Sequence, residues 1–220
     1  MQSRPPRDRA RAGRPRSAHI DLAVLDATLA VLDTVGYGRF TIEEVARRAG
    51  TTKPAVYRRW PTRQQLVLAA LARRLGDVTV PDTGCTLCDL GEGLAVFVAA
   101  FDRMPPGVLA PLLADCSGDA GLHDAFMRTL FAPPRAAVER MLARATARGD
   151  LREDLDLALA VDLLGSLVHY RVLFGHATLR GPEIERAVET LLQGMATDYP
   201  RLVEHSRRLA EGAATHELHT

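Results

Sequence analysis

The residues with the clearest chemical capacity lie between Thr41 and Arg63 of this 220-residue chain. Thr52, Lys53 and Ala55 fall within one helical turn of each other, and their side chains match what base-pair edges offer. A threonine bonds either base type or meets a thymine methyl, lysine reaches guanine, and alanine supplies apolar contact. Tyr57, Arg58 and Arg63 follow at positions suited to holding phosphates. Thr41 stands where a helix N-terminus attracts one. Upstream, in Gly13-Arg14-Pro15-Arg16, Arg14 and Arg16 are of the type that enters a narrow minor groove. The blander readings are a helical hairpin with a solvated basic surface, and a tail that adds only non-specific affinity.

Base reading needs a short helix, a tight turn and a second short helix. Thr41-Ile42-Glu43-Glu44 is the pattern of a capping box, in which Thr41 accepts the Glu44 amide and the Glu44 carboxylate reaches back. Ile42, Val45, Ala46 and Ala49 then make one apolar face at helical spacing. Gly50 turns the chain, Thr51 or Thr52 caps the next helix, and Pro54 lies in its first turn. Val56 and Trp60 face inward, and Thr62-Arg63-Gln64-Gln65 is a second capping box.

The stretch from Phe40 to Leu66 resembles the signature of TetR-type regulators. The resemblance rests on Thr41, Ala46, Ala49, Gly50, Thr52, Lys53, Tyr57, Trp60, Pro61, Thr62, Arg63 and Leu66. Pro54 stands where a glycine or small residue is commoner, and Trp60 where phenylalanine is. The resemblance covers about residues 20–70. It implies an all-α fold of about nine helices, with an N-terminal three-helix DNA-binding domain and a helical C-terminal domain that dimerises and encloses a ligand. It further implies a homodimer on a double-stranded DNA operator, released by a small-molecule effector.

Charge distribution points the same way. Residues 1–75 hold 15 of the 28 basic and 6 of the 27 acidic residues, a net +9, and the remainder carries −8. A basic front attracts a polyanion through counterion release, and an acidic back orients the approach. Lys53 is the only lysine.

Residues 1–17, with six arginines and three prolines, are expected to be a disordered basic arm. Residues 18–75 then form the helix-turn-helix domain with a connecting helix, 76–208 the helical effector-binding and dimerisation domain, and 209–220 a flexible tail. Helical patterns run over about 87–103, 106–116, 122–131, 134–148, 155–174 and 182–199, and no hairpin pattern interrupts them. The longest apolar run, Leu94 to Phe101, is too short to span a bilayer, and the N-terminus lacks a secretory pattern. The expectation is a cytoplasmic protein without a membrane partner.

In the body, Phe97, Phe101, Phe126, His169, Tyr170 and Phe174 are candidates for an apolar effector pocket, although a plain core explains each equally well. Leu159, Leu163, Val188, Leu191, Leu192 and Met195 are candidates for a dimer face, with the subunit's own core as the competing destination. Cys85-Thr86-Leu87-Cys88 is a C-x-x-C that reads first as two small apolar residues at a helix start. A redox-sensing regulator through Cys85 and Cys88 is the alternative. Cys116 and His123 lack the spacing of a zinc pair, and His216-Glu217-Leu218-His219 lacks that of a metalloprotease. No phosphate-binding glycine loop, nucleophile elbow or acid–base pair is present, so neither catalysis nor a metal or cofactor is expected. An architectural DNA-binding protein without an effector is the other alternative.

Overall fold

A computed structural model describes residues 14–79, 82–84, 86–174, 176–177 and 180–193. Among these residues the chain is all-helical. Among the described residues, helix α1 (Arg14–Val35) already includes the four residues ahead of the expected Ala18. It closes at Gly36, whose N–H bonds to the Leu32 carbonyl at 2.9 Å. Helices α2 (Ile42–Arg48), α3 (Lys53–Tyr57) and α4 (Arg63–Leu75) follow, each opened by the threonine that the sequence pattern singles out. The Thr62 box forms completely, with Gln65 N donating to Thr62 Oγ1 at 3.1 Å and Thr62 N to Gln65 Oε1 at 3.3 Å.

The body comprises α5 (Thr86–Asp102), α6 (Leu109–Ser117), α7 (Ala120–Phe126), a π-helical turn (Met127–Phe131), α8 (Ala132–Ala147), α9 (Leu157–Phe174) and α10 (Gly181–Gln193). Two segments differ from expectation. Helix α6 starts after Pro106 because Gly107 takes a positive φ of 68° and turns the chain first. The expected helix over 122–131 ends instead in the π turn. Pro133 and Pro134 lack the N–H groups that would serve the carbonyls four residues back, and Ala132 N–H bonds five residues back, to Met127 O.

Packing divides into two apolar clusters. Val24, Leu32, Val45, Val56, Leu66 and Leu71 of the first four helices share theirs with Val108, Leu112, Cys116 and Phe126 of the α6–α7 region. The second joins α5, α8, α9 and α10 through Leu94, Phe97, Met141, Val161, Val168 and Val188. Gly93 lets α5 approach α8, since a Cβ there would meet Met141 Cε at 3.0 Å. The chain leaves the head at Gly76, but the head's core continues into α6 and α7. None of the described helices is long and apolar enough to cross a membrane.

Candidate nucleic-acid interface

Gly50, at φ +62°, reverses the chain between α2 and α3 in a conformation most residues avoid. Val45 and Val56, both fully buried, lock the two helices on their inner sides. This leaves Thr52, Lys53, Tyr57 and Arg58 exposed on the outer side of α3, with Ala55 half-buried beside them. Thr52 Oγ1 accepts the Ala55 amide at 3.4 Å, so its O–H remains to donate outward. Lys53 Nζ is ion-paired with Glu43 on α2 and lies 5.8 Å from the Tyr57 ring centroid. That hydrogen bond raises the Lys53 pKa and lowers that of Glu43. Glu43, in the first turn of α2, is thus part of this surface.

Thr41 caps α2 by accepting the Glu44 amide at 3.4 Å, but the expected reciprocal bond is replaced. Glu44 accepts instead from Arg47, at 2.8 and 2.6 Å, and from Arg48, at 2.6 Å. These two guanidinium groups hold its carboxyl down at about 2. Two arginines on the next turn outcompete one amide for the same carboxylate.

Arg63 lies apart from the outer face of α3. Its guanidinium stacks 4.3 Å from the Tyr37 ring centroid, donates to the Tyr37 carbonyl at 3.1 Å and lies 3.9 Å from Asp115 on α6. Tyr37, buried at the α1–α2 turn, donates its hydroxyl to Asp115 Oδ2 at 2.9 Å. Burial and that carboxylate raise the Tyr37 pKa. The cluster ties the head to α6. Asp115→Ala is expected to cost about 1–3 kcal/mol in urea unfolding, because it strands the phenol. Tyr37→Phe should cost less, since Asp115 is then free to turn to water; the reverse order would show that the bond is incidental.

Of the arm residues, Arg14 and Arg16 fall within α1, but their side chains, like residues 1–13, lie outside what is described.

In the body, Phe97 and Phe101 surround His169 together with Phe131, at centroid distances of 6.4, 4.7 and 5.4 Å. His169 Nδ1 lies 2.7 Å from the Gly165 carbonyl and must carry a proton to bond it. A 370 Å³ cavity adjoins this cluster. Phe126 is not part of it, being buried in the head-side core. Tyr170 is turned about 100° from His169 on one helix and is exposed; its ring meets that of exposed Phe174 in a tilted contact with centroids 5.1 Å apart.

Leu159 and Leu163 are exposed one turn apart on α9, and Leu191 is exposed on α10. Val188, by contrast, is 1% exposed and buried with Ile184, one turn away on α10, in the subunit's own core, the competing destination. The Leu192 side chain and Met195 lie outside the described residues. So does Cys85; Cys88 is disulfide-bonded, and Cys116 is free and buried.

These elements have counterparts in known proteins. The family model of bacterial regulatory proteins of the tetR family matches residues 24–70, and that of the tetracyclin repressor-like C-terminal domain matches residues 80–191. The HTH-type transcriptional regulator AqdR of Rhodococcus erythropolis is 32% identical over 81% of this chain and 86% of its own length. A DNA-binding transcriptional repressor TetR of Mycobacteroides abscessus is 32% identical over 74% and 85%. The crystal structure of the TetR family transcription regulator SCO0332 is 31% identical and superposes with a TM-score of 0.63, over 81% of this chain and 99% of that one. The chain belongs to the TetR family of transcriptional regulators, with a helix-turn-helix that binds DNA.

Proposed function

We propose that this chain is a ligand-responsive repressor. It binds a palindromic operator as a homodimer and leaves it when a small-molecule effector enters the body, 76–208. The observation that carries this reading is the outer face of α3, where Thr52, Lys53, Tyr57 and Arg58 stand exposed on a helix whose other side is locked into the core. Leu159 and Leu163, exposed on one face of α9, and Leu191, exposed on α10, are apolar surface of the kind a second copy covers. Two heads held about one DNA turn apart, roughly 34–36 Å, then read two half-sites. Thr41 and Arg58 hold phosphates, while Thr52, Lys53 and Ala55 face the bases. Arg63 contributes through its hold on Tyr37 and Asp115, and to phosphate where DNA competes for it.

Selection of bound sites from random DNA is expected to return a palindrome, and the protein should sediment as a dimer. A sequence-indifferent pool would favour an architectural protein, and a monomer on DNA would remove the two-head reading. Deleting residues 1–16 is expected to weaken binding and flatten the dependence of log affinity on log salt, by about 0.9 for each phosphate that the arm neutralises. An unchanged slope would mean that Arg14 and Arg16 take no part. One observation, the disulfide-bonded Cys88, favours redox sensing as a second reading. Equal operator affinity under reducing and oxidising conditions would remove it.

A further inference from the structure

A cavity of about 530 Å³ lies where the connecting helix α4 meets the body, within the size range of small-molecule sites. Its apolar wall is formed by Leu75, Val96, Leu130 and Pro134. Its basic side chains are Arg73, Arg103 and Arg128, against the single carboxylate of Asp77 among the lining residues. The arginines differ in how far they are committed. Arg73 pairs with Asp26 at 3.2 Å. Arg103 spends Nη1 on the Leu75 carbonyl at 3.0 Å, which leaves the rest of its fork to bind. Arg128 is largely exposed and lies 3.9 Å from an equally exposed Asp124, a pairing that an anion easily displaces.

The geometry points to this cavity as the site of an amphipathic anion: a compact apolar chain or ring bearing one carboxylate. The apolar part lies on Leu75, Val96, Leu130 and Pro134, and the carboxylate sits between Arg103 and Arg128. The 370 Å³ cavity beside His169 lacks this chemistry, because its arginine, Arg135, is already held by Asp162 at 2.9 Å and bonds the Ala158 carbonyl. The first cavity is also placed to report occupancy. One wall is the last turn of α4 and the next residues after its Gly76 cap; the other is the π turn, whose Arg128, Thr129 and Leu130 line the site. Helix α4 shares the head's core through Leu66, Val67 and Leu71, so displacing its C-terminal end from the π turn moves the head. That consequence rests on the regulator reading above; the binding itself does not.

The test uses the full chain, with decanoate as probe and uncharged decanol as control, each titrated against bound 1-anilinonaphthalene-8-sulfonate. Decanoate is expected to displace the dye at least tenfold more effectively than decanol. Arg103→Gln and Arg128→Gln, both at exposed positions, should each erode that preference, and the double variant should abolish it. His169→Phe should leave it unchanged. A dye that does not bind, equal competition by decanol, or a preference that survives the double arginine variant would overturn the site. Mobility shift on the selected operator separates the two readings. A chain that shifts DNA yet ignores decanoate retains its regulator role and loses this site. One that binds decanoate through Arg103 and Arg128 but shifts no DNA retains the site and loses the role.

Discussion

Replacing Lys53 by alanine is expected to weaken operator binding by about 10²- to 10⁴-fold, since on the function proposed above each head of the dimer gives up a base interaction worth roughly tenfold to a hundredfold. Lys53 is the second residue of the recognition unit after the Thr52 cap, and its ammonium group lies on the exposed side of α3. That group is held by Glu43, so on the proposed reading binding exchanges a carboxylate for DNA. Glu43→Gln removes the internal competitor. It is expected to raise affinity for operator and random DNA alike, and to narrow the ratio between them. Because Lys53 is the only lysine, amine modification reads the interaction directly. Operator DNA should protect it, and random DNA should protect it less. Equal labelling with and without operator, or an alanine variant that binds normally, would mean that α3 does not enter the groove by this end.

The helix-turn-helix was legible because its determinants are local. A threonine before each helix, a glycine at the turn and apolar residues at i, i+3, i+4 and i+7 act on neighbours within a few residues, and Thr41, Thr52 and Thr62 all cap as their positions require. What remained hidden were choices among partners. Glu44 had three donors within reach, and the two arginines took it. Lys53 meets a carboxylate ten residues away across the turn. Arg63 reads from its type and place as a phosphate ligand, yet a tyrosine 26 residues before it and an aspartate on α6 occupy its guanidinium. The aromatics of the body illustrate the same limit. Phe97, Phe101 and His169 converge because α5 and α9 pack together, whereas Phe126, equally apolar, belongs to another core. Helical periodicity marks an inward face without saying which interior it enters.

That division of cores bears on how the molecule holds together. Leu71→Ala is expected to lower stability by about 2–5 kcal/mol, the cost of removing a fully buried leucine where neighbours relax only in part. Leu71 lies on α4 within the cluster that contains Val45 and Val56 of the helix-turn-helix as well as Leu112 and Phe126 of the body. The loss should therefore not be confined to the head. Trp60, the only tryptophan, packs against this cluster and reports it by fluorescence, while far-UV circular dichroism reports all helices. In urea the two probes are expected to give one coincident transition in the wild type, and in Leu71→Ala a transition shifted to lower urea but still coincident. A Trp60 transition that moves alone, ahead of the helical signal, would show that α6 and α7 do not couple head to body. The same coupling is what an effector beside α4 requires. A ligand can change operator affinity only by its differential affinity for two arrangements of the head, and a core shared between head and body is a physical route by which occupancy of the body biases those arrangements.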